Sequence, residues 1–253
     1  LLGIGKTKTY LVLFQNNMEL RPTGGFIGSF ALITFNSGRL DEINIQDIYS
    51  ADGQLKGHVE PPLPIKKYLK EANWFLRDSN WSPDFPTSAE RAEWFLDKEI
   101  DVRVDGVVAV DLSVIKDVLQ MVGPLYLADY QTQISSDNFY EKTQSEVERN
   151  FFPGSSKKAS FITALSQELV NTLVLNQENK GVKLVKIIYD NLEERHVQMF
   201  LHDNLAKEAL KNLNWNGGFN YPSCLGNCYS DFLGVVEANL GVNKANYYLE
   251  RKY

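Results

Sequence analysis

Gly106-Val107-Val108-Ala109-Val110-Asp111-Leu112-Ser113-Val114-Ile115-Lys116-Asp117-Val118-Leu119-Gln120-Met121-Val122-Gly123-Pro124 is the stretch that decides the class of fold. Its first five residues form a short apolar block rich in β-branched side chains, which predicts a buried strand. Asp111 follows at a helix N-cap position, where a short side-chain oxygen accepts from an otherwise unpaired backbone N–H. Val114, Ile115, Val118, Leu119 and Val122 then recur at helical steps, and Gly123-Pro124 stops the helix. A strand feeding a helix in this way predicts an α/β sheet covered by helices.

The flanking sequence extends the alternation. Tyr10 to Phe14 predicts a buried strand that ends in the polar residues Gln15, Asn16 and Asn17. Gly25 to Phe35 predicts a second strand, Asn36-Ser37-Gly38 a turn, and Leu40 to Ile48 a half-exposed third strand. The segment from Asp52-Gly53 to Pro64 reads as loop, with Pro64 at a first helical position. Thr87 and Glu90 have capping-box spacing, which predicts a helix from about Ser88. Helices are expected at about 137–149, from Ala159 to Leu173 and at 182–192, followed by a strand at His196–Leu201 and a helix capped by Asp203. The stripe through Phe161 and Leu173 reads as core or as the lining of a lipid groove. Phe232 to Tyr253 reads as β-rich. No repeat or low-complexity tract is visible.

Composition excludes several classes. The 253 residues are 43% hydrophobic and 23% charged, an ordinary globular balance. A net charge of -6, with no basic run longer than a lysine pair, argues against nucleic acid as a partner. No apolar run reaches the roughly 20 residues of a membrane span. The sequence opens at Leu1-Leu2, so an anchor is expected upstream of it. The three histidines lack metal-ligand spacing, and no Walker, dinucleotide or nucleophile-elbow motif is present. Cys224-x-x-x-Cys228 lacks the second ligand pair of a zinc site, and a short-loop disulfide is the better reading for a domain outside the cell.

Two polar constellations carry the chemistry. In Asn16-Asn17-Met18-Glu19-Leu20-Arg21-Pro22-Thr23-Gly24-Gly25-Phe26, Arg21 offers a fork to a phosphate and the paired glycines allow close backbone approach. The same residues also suit a tight loop with a structural Arg21–Glu19 pair. In Arg77-Asp78-Ser79-Asn80-Trp81-Ser82-Pro83-Asp84-Phe85-Pro86, Asp78 and Asp84 suit a hard cation such as Mg²⁺. Alternatively, Arg77 and Asp78 pair locally and the aromatics pack the loop.

These two segments, with Asn239-Leu240-Gly241-x-Asn243-Lys244-x-Asn246-Tyr247-Tyr248, resemble the bacterial domain-of-unknown-function family 4012 over nearly the whole chain. More distantly, Tyr10 to Val174 resembles the LytR–CpsA–Psr envelope proteins. That likeness implies an extracytoplasmic mixed α/β sheet that holds a polyprenyl pyrophosphate-linked glycan and transfers the glycopolymer to a wall acceptor, with Mg²⁺ and arginines at the pyrophosphate. It implies a core over 1–181 and a C-terminal α/β extension over 182–253, with the domain anchored on the outer face of the cell membrane by an N-terminal helix. It places ligand-binding roles on Asn17, Arg21, Thr23, Gly24, Gly25, Arg77, Asn80, Arg149, Lys157 and Lys158. Metal-binding or catalytic roles fall to Asp78 and Asp84, with Glu19 as a third catalytic acid. The pattern also departs from that family: Asn17 stands where an aspartate is expected, and Thr23-Gly24 replaces a Ser-Asp step. A non-catalytic lipid- or glycan-binding scaffold is the rival expectation.

Overall fold

The computed structural model describes residues 2–149, 157–175, 181–219, 224, 226–241, 243–250 and 252, without the side chains of 146–149, 157–160, 174–175 and 247. Strands β1 (Lys8–Asn16), β2 (Phe26–Asn36) and β3 (Arg39–Asp47) form an antiparallel meander. Ser37 and Gly38 turn β2 into β3 with φ of 51° and 82°. Positive φ at both turn positions matches the right-handed twist of the strands they join. A short helix α1 (Ile48–Asp52) and helix α2 (Phe85–Ile100) lead to β4 (Gly106–Asp111), which pairs with β1 in parallel. Helix α3 (Leu112–Val122), a hairpin of β5 (Leu125–Leu127) and β6 (Thr132–Ile134), and helices α4 (Phe139–Arg149), α5 (Lys157–Leu175) and α6 (Gly181–Glu193) follow. Strand β7 (Val197–Leu201) then joins β4 antiparallel, before helix α7 (Asn204–Asn212). The sheet order is β3-β2-β1-β4-β7, a mixed α/β sheet.

Strand periodicity divides the interior in two. Leu11, Leu13, Phe30, Val107, Ala109 and Phe200 meet Phe85, Phe95 and Leu96 of α2 on one face. Val108, Val110 and Met199 point the other way, toward a core of Leu119, Phe161, Leu165 and Leu192 from α3, α5 and α6. With both faces covered, β1 and β4 have no solvent side, which explains their unbroken apolar character. The α5 stripe is core: Phe161, Ile162, Leu165 and Leu169 are all buried. Among the described residues no helix is long and apolar enough to cross a membrane.

Several expectations change. Beyond residue 181, α6 packs on α3 and β7 joins the main sheet as an edge strand. Helix α2 starts at Phe85, three residues before the expected start. Asp84 is its N-cap, accepting from the Thr87 amide at 3.1 Å, and Pro86 sits in the first turn, where no amide is needed. Helix α1 and the β5–β6 hairpin carry no signal in the sequence, because elements of five and three residues are too short to show a period. The described part of 226–250 holds no strand, only a 3₁₀ turn at Ala245–Tyr248. Its asparagines bond locally instead: the Asn239 amide group donates to Asn243 O at 2.9 Å and Asn246 Oδ1 at 2.6 Å. Such local side-chain bonds compete with strand ladders.

Candidate functional site

Strands β1, β3 and β4 run in the same direction, so Asn16, Asp47 and Asp111 end at one edge of the sheet. The β1–β2 connection, residues 17–25, folds over that edge. It closes through Glu19 N–H to Asn16 O at 3.0 Å, Gly24 N–H to Arg21 O at 3.0 Å and Phe26 N–H to Glu19 O at 2.9 Å. Gly24 has φ +122°, and a side chain at Gly25 would run into the Asn16 carbonyl. Both glycines are needed to close this turn. Asn80 has the same use, donating to Gly25 O at 2.8 Å from a fully buried position.

Arg21, only 3% exposed, lies beneath this turn. Its Nε donates to Asp78 Oδ1 at 2.8 Å, its Nη2 to Glu19 at 3.3 Å, and its Nη1 to the carbonyls of Leu20 and Asn239 at 3.2 and 3.0 Å. Arg77 approaches the same Asp78 from the other side, 3.6 Å from Oδ2. It also pairs with Asp52 at 2.8 Å and Glu71 at 2.9 Å. The two arginines, 56 positions apart, do converge, but on a carboxylate of the protein itself. The third motif joins them, since Asn239 N–H donates to Leu20 O at 2.9 Å and Asn246 Oδ1 accepts from Leu20 N–H at 3.3 Å.

The balance of charge in this cluster is acidic. Two guanidiniums face Glu19, Asp52, Glu71 and Asp78. Burial pushes the Asp52 carboxyl up to about 6 against the pull of Arg77. Glu99, whose Oε1 accepts from the Leu76 amide, is pushed up to about 8, first by burial and then by Asp52. Burial works against the Arg77 charge, but Asp52, Glu71 and Asp78 hold its pKa raised. A buried carboxylate with a charged fork on each side is stable only while those forks stay in place.

Of the other expected ligands, Asn17 and Asp84 are held by partners outside this cluster. Asn17 donates to Asp111 Oδ2 at 3.1 Å and to Ser113 Oγ at 3.3 Å, and His196 Nδ1 lies 2.7 Å from the same Asp111 oxygen. Thr23 is buried, and its hydroxyl has no hydrogen-bond partner. The side chains of Arg149, Lys157 and Lys158 lie outside the described residues. Asp84 spends both oxygens on its surroundings, Oδ2 on the α2 cap and Oδ1 on the Phe219 amide at 3.1 Å. Asp78 is held by arginines, and among the described residues no group of three His, Cys, Asp or Glu side chains could hold a metal ion. This donor set does not fit Mg²⁺. Cys224 and Cys228 are joined by a disulfide, with Cα atoms 5.8 Å apart.

Asp52, Glu71 and Glu99 escape a reading of the sequence because they lie 25, 6 and 23 positions from their partners Arg77, Arg77 and Leu76, with no shared motif. The one available signal was the density of carboxylates around 71–99.

Comparison with solved structures gives distant likenesses. Protein gbs0355 from Streptococcus agalactiae is 13% identical, over 84% of this chain and 74% of that one, with a TM-score of 0.49. The LytR-Csp2A-Psr enzyme from Actinomyces oris is 11% identical over 83% and 76%, with a TM-score of 0.44. TagV of Bacillus subtilis is 13% identical over 84% and 80%, with a TM-score of 0.43. No curated protein matches the chain. The family described as "Protein of unknown function (DUF4012)" matches residues 6–147, more than half of the sequence, and the chain belongs to that family.

Proposed function

We propose that this chain is a non-catalytic glycan-binding domain of the bacterial cell envelope. The motif resemblance to LytR–CpsA–Psr proteins supports the envelope setting. One observation carries the non-catalytic reading: Arg21 and Arg77, the forks expected at a pyrophosphate, are already engaged by four carboxylates. A pyrophosphate entering there has to displace the buried carboxylates of Glu19, Asp52 and Asp78 from the arginines that pair with them, a loss of several kcal/mol per ion. Asp84, the second acid of the expected transfer chemistry, holds the start of α2 instead. The cluster acts as a strut that ties the 17–25 turn, the 74–84 segment and the C-terminal asparagine turns together.

Calorimetric titration with a short prenyl pyrophosphate, with and without Mg²⁺, tests this reading. No Mg²⁺-dependent binding is expected. Mg²⁺-dependent binding that weakens about tenfold or more in a folded Arg77→Ala variant supports the transferase instead.

A further inference from the structure

The segment braced by this cluster forms the wall of a cleft on the far side of Asp78. Trp74 donates its indole N–H to Asp78 O at 2.8 Å, so the ionic cluster and the cleft share a piece of backbone. Trp74, Ser79 and Trp81 line one side, and Glu90, Arg91 and Trp94 of α2 line the other, around a volume of about 370 Å³. Three of the four tryptophans in the sequence meet here. The guanidinium of Arg91 lies over the rings of Trp74 and Trp94, 4.9 and 5.3 Å from their centres. Phe95 packs edge-on against both indoles and fixes their planes.

Unused hydrogen-bonding capacity distinguishes this cleft from a packed aromatic cluster. Ser79 is 1% exposed, and among the described residues its hydroxyl has no hydrogen-bond partner. Among the described residues Arg91 and Glu90 make no ion pair, although they are neighbours on the α2 surface. Trp94 remains 37% exposed. A volume near the lower end of ligand pockets, roughly 300–1,000 Å³, suits one or two sugar rings.

We infer that this cleft binds a pyranose unit of a glycan, with the face of Trp81 taking its C–H face beside the Arg91-covered indoles of Trp74 and Trp94, and Arg91, Glu90 and Ser79 taking its hydroxyls. A pyranose ring has an apolar C–H face and a rim of hydroxyls that are each donor and acceptor. Indole faces are electron-rich and pack well against such polarised C–H groups. Arg91 supplies donors only, Glu90 acceptors only and Ser79 both, so neighbouring hydroxyls are satisfied without a net change of charge. Other ligand classes fit less well. A cation meets Arg91 already seated on the indoles, an anion meets Glu90, and a hydrocarbon chain leaves Ser79 and both charges buried without partners. The inference deepens the glycan-binding reading above by naming where the sugar sits.

The test is titration of the protein with N-acetylglucosamine tetrasaccharide and with maltotetraose, followed by the indole N–H signals in NMR. Signals of Trp74, Trp81 and Trp94 are expected to move with at least one saccharide. Trp215, whose N–H is bonded to Glu193 at 2.7 Å and which does not line the cleft, is expected to stay still. Trp81→Ala and Arg91→Ala should each weaken binding by about tenfold, and Arg91→Ala, on the helix surface, keeps the test valid if Trp81→Ala unfolds. No movement with either saccharide up to about 10 mM, or equal movement of Trp215, overturns the inference. The two readings fail separately: Mg²⁺-dependent prenyl pyrophosphate binding removes the non-catalytic function, whereas flat sugar titrations remove the cleft whatever pyrophosphate does.

Discussion

The ionic cluster under the 17–25 turn and the tryptophan cleft beside α2 lie back to back on the 74–82 segment, and they use their polar groups in opposite ways. In the cluster every guanidinium is matched by carboxylates inside the protein, with Arg21 meeting Asp78 and Glu19, and Arg77 meeting Asp52, Glu71 and Asp78. In the cleft, among the described residues, Arg91 has aromatic faces but no carboxylate, and the buried Ser79 hydroxyl has no hydrogen-bond partner. Density of charged residues marks the first region and scarcity of partners marks the second. The contrast teaches that a constellation rich in arginine and aspartate can be structural throughout, whereas capacity for a ligand shows in groups left unsatisfied.

Removing one member of the cluster should give the largest effect. Arg21→Ala leaves Asp78 and Glu19 buried beside a missing charge and should lower unfolding stability by about 3–5 kcal/mol, read from denaturant melts. A loss below about 1 kcal/mol would show that water reaches these carboxylates, and the cluster would then regain the features of an open site.

The buried acid Glu99 sharpens the same point through pH. Its folded pKa, about 8, lies above the ordinary value of 4.5, so the folded state binds its proton more tightly than the unfolded chain. Its contribution is fully present below about 4.5 and declines as pH rises toward about 8. The slope attributable to this group is at most about 1.4 kcal/mol per pH unit. Glu99→Gln should flatten the pH dependence of stability across this window. An unchanged slope would mean that Glu99 is ionised and solvated in the folded protein.

Gly25→Ala probes the turn over the cluster. The added Cβ meets the Asn16 backbone, which cannot move without opening the β1–β2 pair, and about 1–3 kcal/mol should be lost. Asp84→Ala should cost about 1 kcal/mol as a lost helix cap and leave saccharide binding within about twofold. A much greater loss of binding than of stability would return Asp84 to a functional role. On the cleft side Arg91→Ala should cost only about 0.5–1 kcal/mol of stability, through its contacts with the indoles, while weakening saccharide binding. This inverse pairing, large stability effects in the cluster and large binding effects in the cleft, is the sharpest form of the comparison.

The sequence by itself determined the parts that depend on neighbours along the chain. Apolar blocks at 10–14 and 106–110, the Asn36-Ser37-Gly38 turn and the caps at Asp111 and Asp203 all appear where local periodicity and capping chemistry place them. Local density of polar groups also singled out Arg21 and Arg77, and the family resemblance singled out the asparagine-rich 239–246 segment. Tertiary structure alone decided their use. Whether Arg77 is free for a ligand depends on Asp52, 25 positions away at the end of α1, and on Glu71; whether Arg21 is free depends on Asp78 and on a carbonyl 218 positions away. Tertiary structure likewise brought Trp74 and Trp81 from a loop against Arg91 and Trp94 on a helix. An ion pair or a cleft is set by distance and burial in space, and the sheet edge brings together residues whose separation along the chain carries no trace of that meeting.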